Sequence, residues 1–252
     1  MSELSPSAAF AVVFLASLWA GVQNALAGGG AFVALPALIL TGMDARAANI
    51  TYTIAIFPAQ VAIAWTGRRD VAGAAGLSFR LLVIISLIGG ALGAALLLVT
   101  SAAFFARLVP WLVLFATAVF AWGSFAPRRH SAPRIGRKAA GVAQFAIAVY
   151  GGYFGGGIGF LMLAVMTAAK LVMRSAAATK NVLAAAMNAS AVALFVFSPV
   201  VRWHAASVIC VGGIIGGVTG AHLLRRANER LLRALVVVLG IALTIGLFLR
   251  AP

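Results

Sequence analysis

The sequence predicts an all-α protein that crosses a membrane many times. Three observations predict it. Hydrophobic residues make up 63% of the 252 positions and charged residues only 9%, with a mean hydropathy of +1.09, whereas a soluble domain carries about 25% charged residues. Long stretches contain no Asp, Glu, Lys or Arg, and about 20 residues of helix cross the roughly 30 Å hydrocarbon layer. The basic residues, which bring the net charge to +15, punctuate these stretches and are not gathered in a patch. The excess therefore reads as loop asymmetry across a bilayer and not as a nucleic-acid footprint.

Eight uncharged stretches follow in order: Leu4–Met43, Ala47–Gly67, Leu81–Ala106, Leu108–Pro127, Ala139–Ala169, Asn181–Val201, Trp203–Leu224 and Ala234–Leu249. Six have the length of one crossing. Leu4–Met43 and Ala139–Ala169 are too long for one helix, and each carries a glycine cluster, Gly28-Gly29-Gly30 in the first and Gly155-Gly156-Gly157 then Gly159 in the second. Each reads as two helical arms joined at a glycine break. The first stretch ends its opening arm in Ala25-Leu26-Ala27, which resembles a signal-peptidase site. The tail before it holds Glu3 and no basic residue, so a retained membrane segment is expected. The one cysteine, Cys210, lies in an apolar run and excludes a disulfide framework or a cysteine metal cluster.

The two halves resemble each other. A shift of 128 lays Arg46-Ala-Ala-Asn-Ile-Thr51 on Arg174-Ser-Ala-Ala-Ala-Thr179 and Gly28-Gly29 on Gly156-Gly157, and a shift of 127 lays Leu87-Ile-Gly-Gly-Ala-Leu-Gly-Ala94 on Ile214-Ile-Gly-Gly-Val-Thr-Gly-Ala221. A single membrane domain over 1–252 is thus expected to contain a duplicated unit: repeat one at 8–127, repeat two at 138–250, joined by the basic linker 128–138. If each broken stretch enters and returns, one face collects fifteen Lys and Arg, and the other keeps only Arg46, Arg107, Arg202 and Arg250. If each broken stretch crosses once, the division is ten to nine. The positive-inside rule selects the returning version, with both termini outside. Each unit then has one glycine-broken hairpin plus three transmembrane helices, an odd number of net crossings. The repeats are inverted, as in secondary transporters.

In such a protein the ligand sits near the midplane, where discontinuous helices offer unpaired N–H groups and the positive end of a dipole. Both glycine clusters precede a helical arm, so each places a helix N-terminus that suits an anion. Close packing is the alternative use of glycine, and it is the expected one for Gly89-x-x-x-Gly93, Gly213-x-x-x-Gly217 and Gly216-x-x-x-Gly220. Polar residues gather beside the breaks. Gln23 and Asn24 precede the first, and Tyr150 and Tyr153 precede the second. Asn49, Thr51, Tyr52 and Thr53 open the next span in one half, and Thr179, Lys180 and Asn181 in the other. Gln60 and Asn188 correspond under the 128 shift and need partners in hydrocarbon, either each other or a ligand. Thr51 and Thr179 are expected to touch a ligand or a hairpin loop, with helix capping as the third option. Lys180 either faces an anion at the second break or snorkels to lipid phosphate. The expected substrate contacts are Asn24, Gly28, Gly29, Gly30, Thr51, Tyr153, Gly155, Gly156, Gly157, Thr179, Lys180 and Asn181.

The four acidic residues, Glu3, Asp44, Asp70 and Glu229, all lie outside the uncharged stretches, so a carboxylate proton relay is excluded. The sequence also has no P-loop, G-x-S-x-G or H-E-x-x-H motif. No cofactor, metal or catalytic residue is expected. His204, His222 and Ser190 are the only groups an intramembrane enzyme could use, and they form no interpretable triad. A passive anion channel is the other rival, and saturating flux with counterflow would eliminate it.

The pattern Ala27-Gly-Gly-Gly-Ala-Phe-Val-Ala-Leu-Pro36 followed by Ala47-Ala48-Asn49-Ile50-Thr51 resembles the first repeat of the sulfite exporter TauE/SafE family. Gly155-Gly-Gly-Ile-Gly159 followed by Ala176-Ala-Ala-Thr179 resembles its second. The resemblance covers nearly the whole chain. Two departures stand out: Ala164 occupies the place of Pro36, and Ile50 and Ala178 stand where the family has a glycine before the threonine. The resemblance implies a secondary transporter of a small sulfur-containing anion such as sulfite, sulfoacetate or another organosulfonate, in the bacterial inner membrane. It implies a small anion and the bilayer as partners, admits a second copy of the chain, and leaves no role for nucleic acid.

The topology makes a direct prediction. Single cysteines in the loops near Arg68 and Arg226 should react with an impermeant maleimide from the same face of the membrane; labelling from opposite faces would sink the inverted arrangement.

Overall fold

A computed structural model describes residues 5–26, 30–125, 135–223 and 229–250. Gly28, Gly29 and residues 128–134 of the linker lie outside the described residues. Among those described there are ten helices and no strand: α1 Pro6–Leu26, α2 Ala31–Leu40, α3 Ala45–Gly67, α4 Phe79–Val99, α5 Ala102–Phe125, α6 Arg137–Tyr153, α7 Ile158–Ala168, α8 Met173–Phe195, α9 Trp203–Leu223 and α10 Glu229–Arg250. The first long uncharged stretch is α1 and α2, and the second is α6 and α7, so both divide at the glycine clusters. At about 1.5 Å per residue, α2 and α7, with 10 and 11 residues, are half the thickness of the hydrocarbon layer. The returning arms are thus too short to cross by themselves. By length and composition, α1, α3, α4 and α5 can each cross a membrane.

Capping explains several ends. The Asp44 carboxylate accepts from the N–H groups of Arg46 and Ala47 at 2.8 and 3.2 Å and starts α3. Ser78 accepts from Leu81 N–H and starts α4. The turns that end α2 and α7 share one pattern. Thr41, Gly42 and Met43 donate to Ala37, Ile39 and Leu38, as Ala169, Lys170 and Leu171 donate to Val165, Thr167 and Met166. Each turn needs a left-handed residue at its second position. Gly42 supplies it at φ +86°, and Lys170 at φ +62° carries the steric cost of a side chain.

The distribution of side chains is that of a protein in lipid. On α4, Ile84, Ile88, Leu92 and Leu96 form an exposed stripe, whereas Ser86, Gly89, Gly90, Gly93 and Ala94 are buried. Between helices in a bilayer there is no apolar surface to take out of water, so close approach at small residues does the work. A Cβ on Gly93 would fall on the Val149 carbonyl of α6, one on Gly216 on the Leu18 carbonyl of α1, and one on Gly21 on the Gly213 carbonyl of α9. Gly89, Gly93, Gly213, Gly216 and Gly217 therefore lie at helix seams, as expected for packing; the surroundings of Gly220 lie outside the described residues.

The packing partners form a regular scheme. Helix α1 lies along α9 and α6 along α4; α3 meets α8 and α9, and α8 meets α3 and α4; α5 meets α10; α2 packs on α1, α3 and α10, as α7 does on α6, α8 and α5. Replacing each helix by the one five places away reproduces these pairs. Glycine contacts show α1 and α9 running in the same direction, as do α4 and α6. Helices α3 and α8 run in opposite directions, because Gln60 meets Asn188 whereas Gly67 meets Ala178. Two apolar cores result, one around Leu35, Ile50, Phe105, Phe120 and Phe195, the other around Leu82, Met162, Met166, Leu183 and Met187.

The glycine seams are the most sensitive part of this packing. Gly93→Ala should destabilise the detergent-solubilised protein by about 1–3 kcal/mol, the usual cost of overpacking, and lower its melting midpoint. Gly246→Ala on α10, where a Cβ meets nothing within 4 Å, should leave that midpoint unchanged.

Candidate functional site

The second glycine break begins where α6 ends at Tyr153. Gly155 and Gly157 adopt φ +82° and +76°, a left-handed conformation that L side chains resist, so the chain reverses within four residues. Gly157 is the N-cap of α7 and offers no side chain to it. The first N–H groups of a helix have no intrahelical partner. Among the described residues no bond reaches the N–H groups of Gly156, Gly157, Ile158 or Gly159. The break lies deep in the bundle, since Gly157 faces Ala116 in the middle of α5.

The first break is closed differently. Gly30, the residue before α2, donates its N–H to Asn24 Oδ1 at 2.9 Å, and Asn24 Nδ2 donates to the Tyr52 hydroxyl at 3.4 Å. A Cβ on Gly30 would meet the Ala20 carbonyl, Asn24 and Tyr52 together. Helix α2 thus starts beside the last turns of α1 and two turns into α3, again at depth. Asn24 thus ties Gly30 to Tyr52 of α3.

One face of α3 joins the two breaks. Asn49, three residues before Tyr52 and therefore on the same side of the helix, donates Nδ2 to the Tyr153 carbonyl at 3.0 Å. The Tyr153 hydroxyl donates to Thr100 Oγ1 at 3.4 Å, and its ring meets Phe105 edge-on at 5.6 Å. Asn49 and Tyr52 stood out in the sequence as polar residues in an apolar span. Their function as the bridge between the breaks had no sequence signal, because one bond ends on a backbone carbonyl.

Thr51 and Thr179 are fully buried, and each reaches a loop of the other half of the chain. The Arg202 N–H donates to Thr51 Oγ1 at 3.2 Å. The Ala72 N–H donates to Thr179 Oγ1 at 2.9 Å, and that hydroxyl donates back to the Ala72 carbonyl at 3.3 Å. Gln60 and Asn188 find each other, with Asn188 Nδ2 donating to Gln60 Oε1 at 2.6 Å. Of the matched arginines, Arg46 donates to the carbonyls of Leu98 and Thr100, closing the end of α4, and Arg174 pairs with Asp70 at 3.0 Å.

Lys180 and Asn181 are half-buried on α8. The 128 shift that relates α3 to α8 puts Lys180 in the sequence position of Tyr52. Lys180 forms no ion pair with a described carboxylate. Among the described residues, the N–H before α2 thus has a side-chain acceptor, whereas the N–H groups before α7 have none, and a lysine stands at the position that Tyr52 holds in the other half. No cluster of metal-ligating side chains occurs among the described residues.

The sequence matches the profile of the Sulfite exporter TauE/SafE family over residues 13–247. A "Probable membrane transporter protein" of Haemophilus influenzae is 28% identical over 242 residues, covering 93% of this chain and 92% of its own. The Escherichia coli K12 "Probable membrane transporter protein YfcA" is 26% identical, covering 90% of this chain and 85% of its own. The Sinorhizobium sp. "Probable membrane transporter protein ORF9" is 26% identical, covering 94% and 91%. No solved structure gives a significant match. With its helix order, its two glycine breaks and a profile match over almost its full length, the chain belongs to the sulfite exporter TauE/SafE family.

Proposed function

We propose that this polytopic membrane protein is a secondary transporter of a small sulfur-containing anion, sulfite, sulfoacetate or another organosulfonate, working by alternating access between two halves of opposite orientation. In this reading repeat one spans 8–127 and repeat two 138–250, both termini are periplasmic, and the membrane is the bacterial inner membrane. The antiparallel pairing of the equivalent helices α3 and α8, and packing partners that exchange of the halves reproduces apart from α3 with α5 and α6 with α8, support it.

The observation that carries the proposal is the open N-terminus of α7 at the middle of α5, with Lys180 at the sequence position that Tyr52 holds in the other half. Water cannot satisfy those N–H groups in hydrocarbon, and irregular backbone at membrane depth is tolerated only where it lines a cavity or binds something. Backbone N–H groups aimed one way, a helix dipole and a cation together favour an anion. Gly155, Gly156 and Gly157 supply the backbone donors and Lys180 the charge. Asn181 and Tyr153 flank them in this reading, and Asn24 with Gly30 forms the opposite wall; Gly28 and Gly29, also proposed as contacts, lie outside the described residues. Asn49 and Tyr52 keep the two walls in register. The transported anion itself supplies the negative charge that the carboxylate-free spans leave out. The relatives' printed names, all membrane transporters, agree with transport.

Proteoliposome counterflow with sulfite, sulfate, thiosulfate, taurine, sulfoacetate and carboxylate analogues tests this. A sulfur anion should show saturable counterflow. Lys180→Met should raise its KM by roughly tenfold or more, the loss expected for one charge-assisted hydrogen bond. If no sulfur anion competes, the substrate assignment fails; an unchanged KM removes Lys180 from the site.

A further inference from the structure

Resting on the alternating-access reading, we infer that Thr51 and Thr179 are a reciprocal pair of latches, one at each mouth of the transport path, and that the Gln60–Asn188 bond is the pivot between them. Thr51 lies near the start of α3 and holds Arg202, at the start of α9. Thr179, near the start of α8, holds Ala72 in the loop that follows α3. Because α3 and α8 are antiparallel, the two contacts lie at opposite ends of that helix pair. From Thr51 to the end of α3 at Gly67 the rise is roughly 24 Å at 1.5 Å per residue. Gln60 and Asn188 meet between them.

The position of that middle bond is informative. Gln60 and Asn188 are 128 apart, the same number that relates Thr51 to Thr179, so the bond joins two equivalent residues where the two halves meet face to face. A contact between equivalent residues keeps its place when the halves exchange conformations. A contact between non-equivalent residues, such as Thr51 with the Arg202 loop, has a counterpart at the far end, Thr179 with the Ala72 loop, and exchange swaps the two. Both contacts are made here, and in this reading that closes both mouths. Release of one hydroxyl frees one loop while the other still holds, which is the requirement for access from one side at a time.

The magnitudes favour the threonines over the ion pair beside them. Thr51 and Thr179 are fully buried and each fixes a backbone group of a less buried loop residue, Arg202 or Ala72, so loss of the hydroxyl leaves that loop without its anchor in the bundle. Asp70 and Arg174, next to the Thr179 latch, have side chains 35% and 82% exposed, and such pairs contribute little.

The test uses the full-length protein with Cys210→Ser and one buried reporter at each mouth, Ala74→Cys or Val201→Cys, in vesicles without substrate. An impermeant maleimide applied to each face reads the opening. Thr179→Val should speed labelling of Ala74→Cys by roughly two- to tenfold, the shift that loss of one hydrogen bond carries, without speeding Val201→Cys. Thr51→Val should do the reverse. Thr51→Ala and Thr179→Ala carry the same expectation should valine prevent folding, and Thr51→Ser and Thr179→Ser, which keep the hydroxyl, should label like the parent. Acceleration at both reporters by either variant, or at neither, overturns the latches. Reciprocal opening in a protein that gives no counterflow of any sulfur anion leaves the latches standing and fails the substrate reading.

Discussion

Every polar group of the backbone that enters hydrocarbon must find a partner inside the protein, and the architecture follows from that constraint. Unbroken helices meet it by their own hydrogen bonds, which is why all the described elements are helices. The two places where the chain abandons the helix at depth must meet it in another way. At the first, Asn24 accepts from Gly30 and passes the chain of bonds to Tyr52. At the second, Gly155 and Gly157 turn the chain in a conformation open to glycine, and the N–H groups that open α7 have no described partner. Among the described residues, the Gly30 N–H is held by a side chain of the protein, whereas those that open α7 meet none.

The same solvent changes what holds helices together. Lipid tails are as apolar as leucine, so burying Ile or Leu between helices gains little over leaving it outside, and the exposed stripe Ile84, Ile88, Leu92 and Leu96 is the expected result. The seams are made where glycine lets backbones meet: Gly89 and Gly93 on α6, Gly212 and Gly216 on α1. Buried side-chain pairs such as Gln60 with Asn188 and Gln144 with Ser86 add about 0.6 kcal/mol each by the average found for such bonds in membrane proteins. They choose the register more than they supply stability. Because the seams of the two cores use equivalent helices, both halves contribute to each, and neither core belongs to one half alone.

Much of this was legible in the residues, though unevenly. The glycine clusters announced both breaks because no other residue reverses a chain so tightly. Gln60 and Asn188 announced a polar contact because an apolar span has no other reason to carry an amide. Asp44 and Ser78 are recognisable caps. Lys170 was not legible as a turn residue: it takes a left-handed conformation that its sequence does not favour, and only its equivalence to Gly42 explains the shape. Thr51 and Thr179 were visible as a matched pair, but whether they met a ligand or a loop depended on Ala72 and Arg202. Those residues contribute only backbone atoms, and backbone atoms are the same at every position.

By itself, the sequence determined that the chain is helical, that it lies in a membrane, where the helices divide and which positions in the two halves are equivalent. These follow from hydropathy, from glycine and from charge, properties a residue carries wherever it is placed. The tertiary structure decided which of the equivalent positions behave differently. Tyr52 accepts from Asn24 where its equivalent by sequence is Lys180, Arg46 closes the end of a helix while Arg174 pairs with Asp70, and each threonine binds the other half's loop. Such choices depend on which groups are brought within 3 Å of each other from positions more than a hundred residues apart. A hydrogen bond is decided by that distance and by the absence of competing water, and neither can be read along the chain.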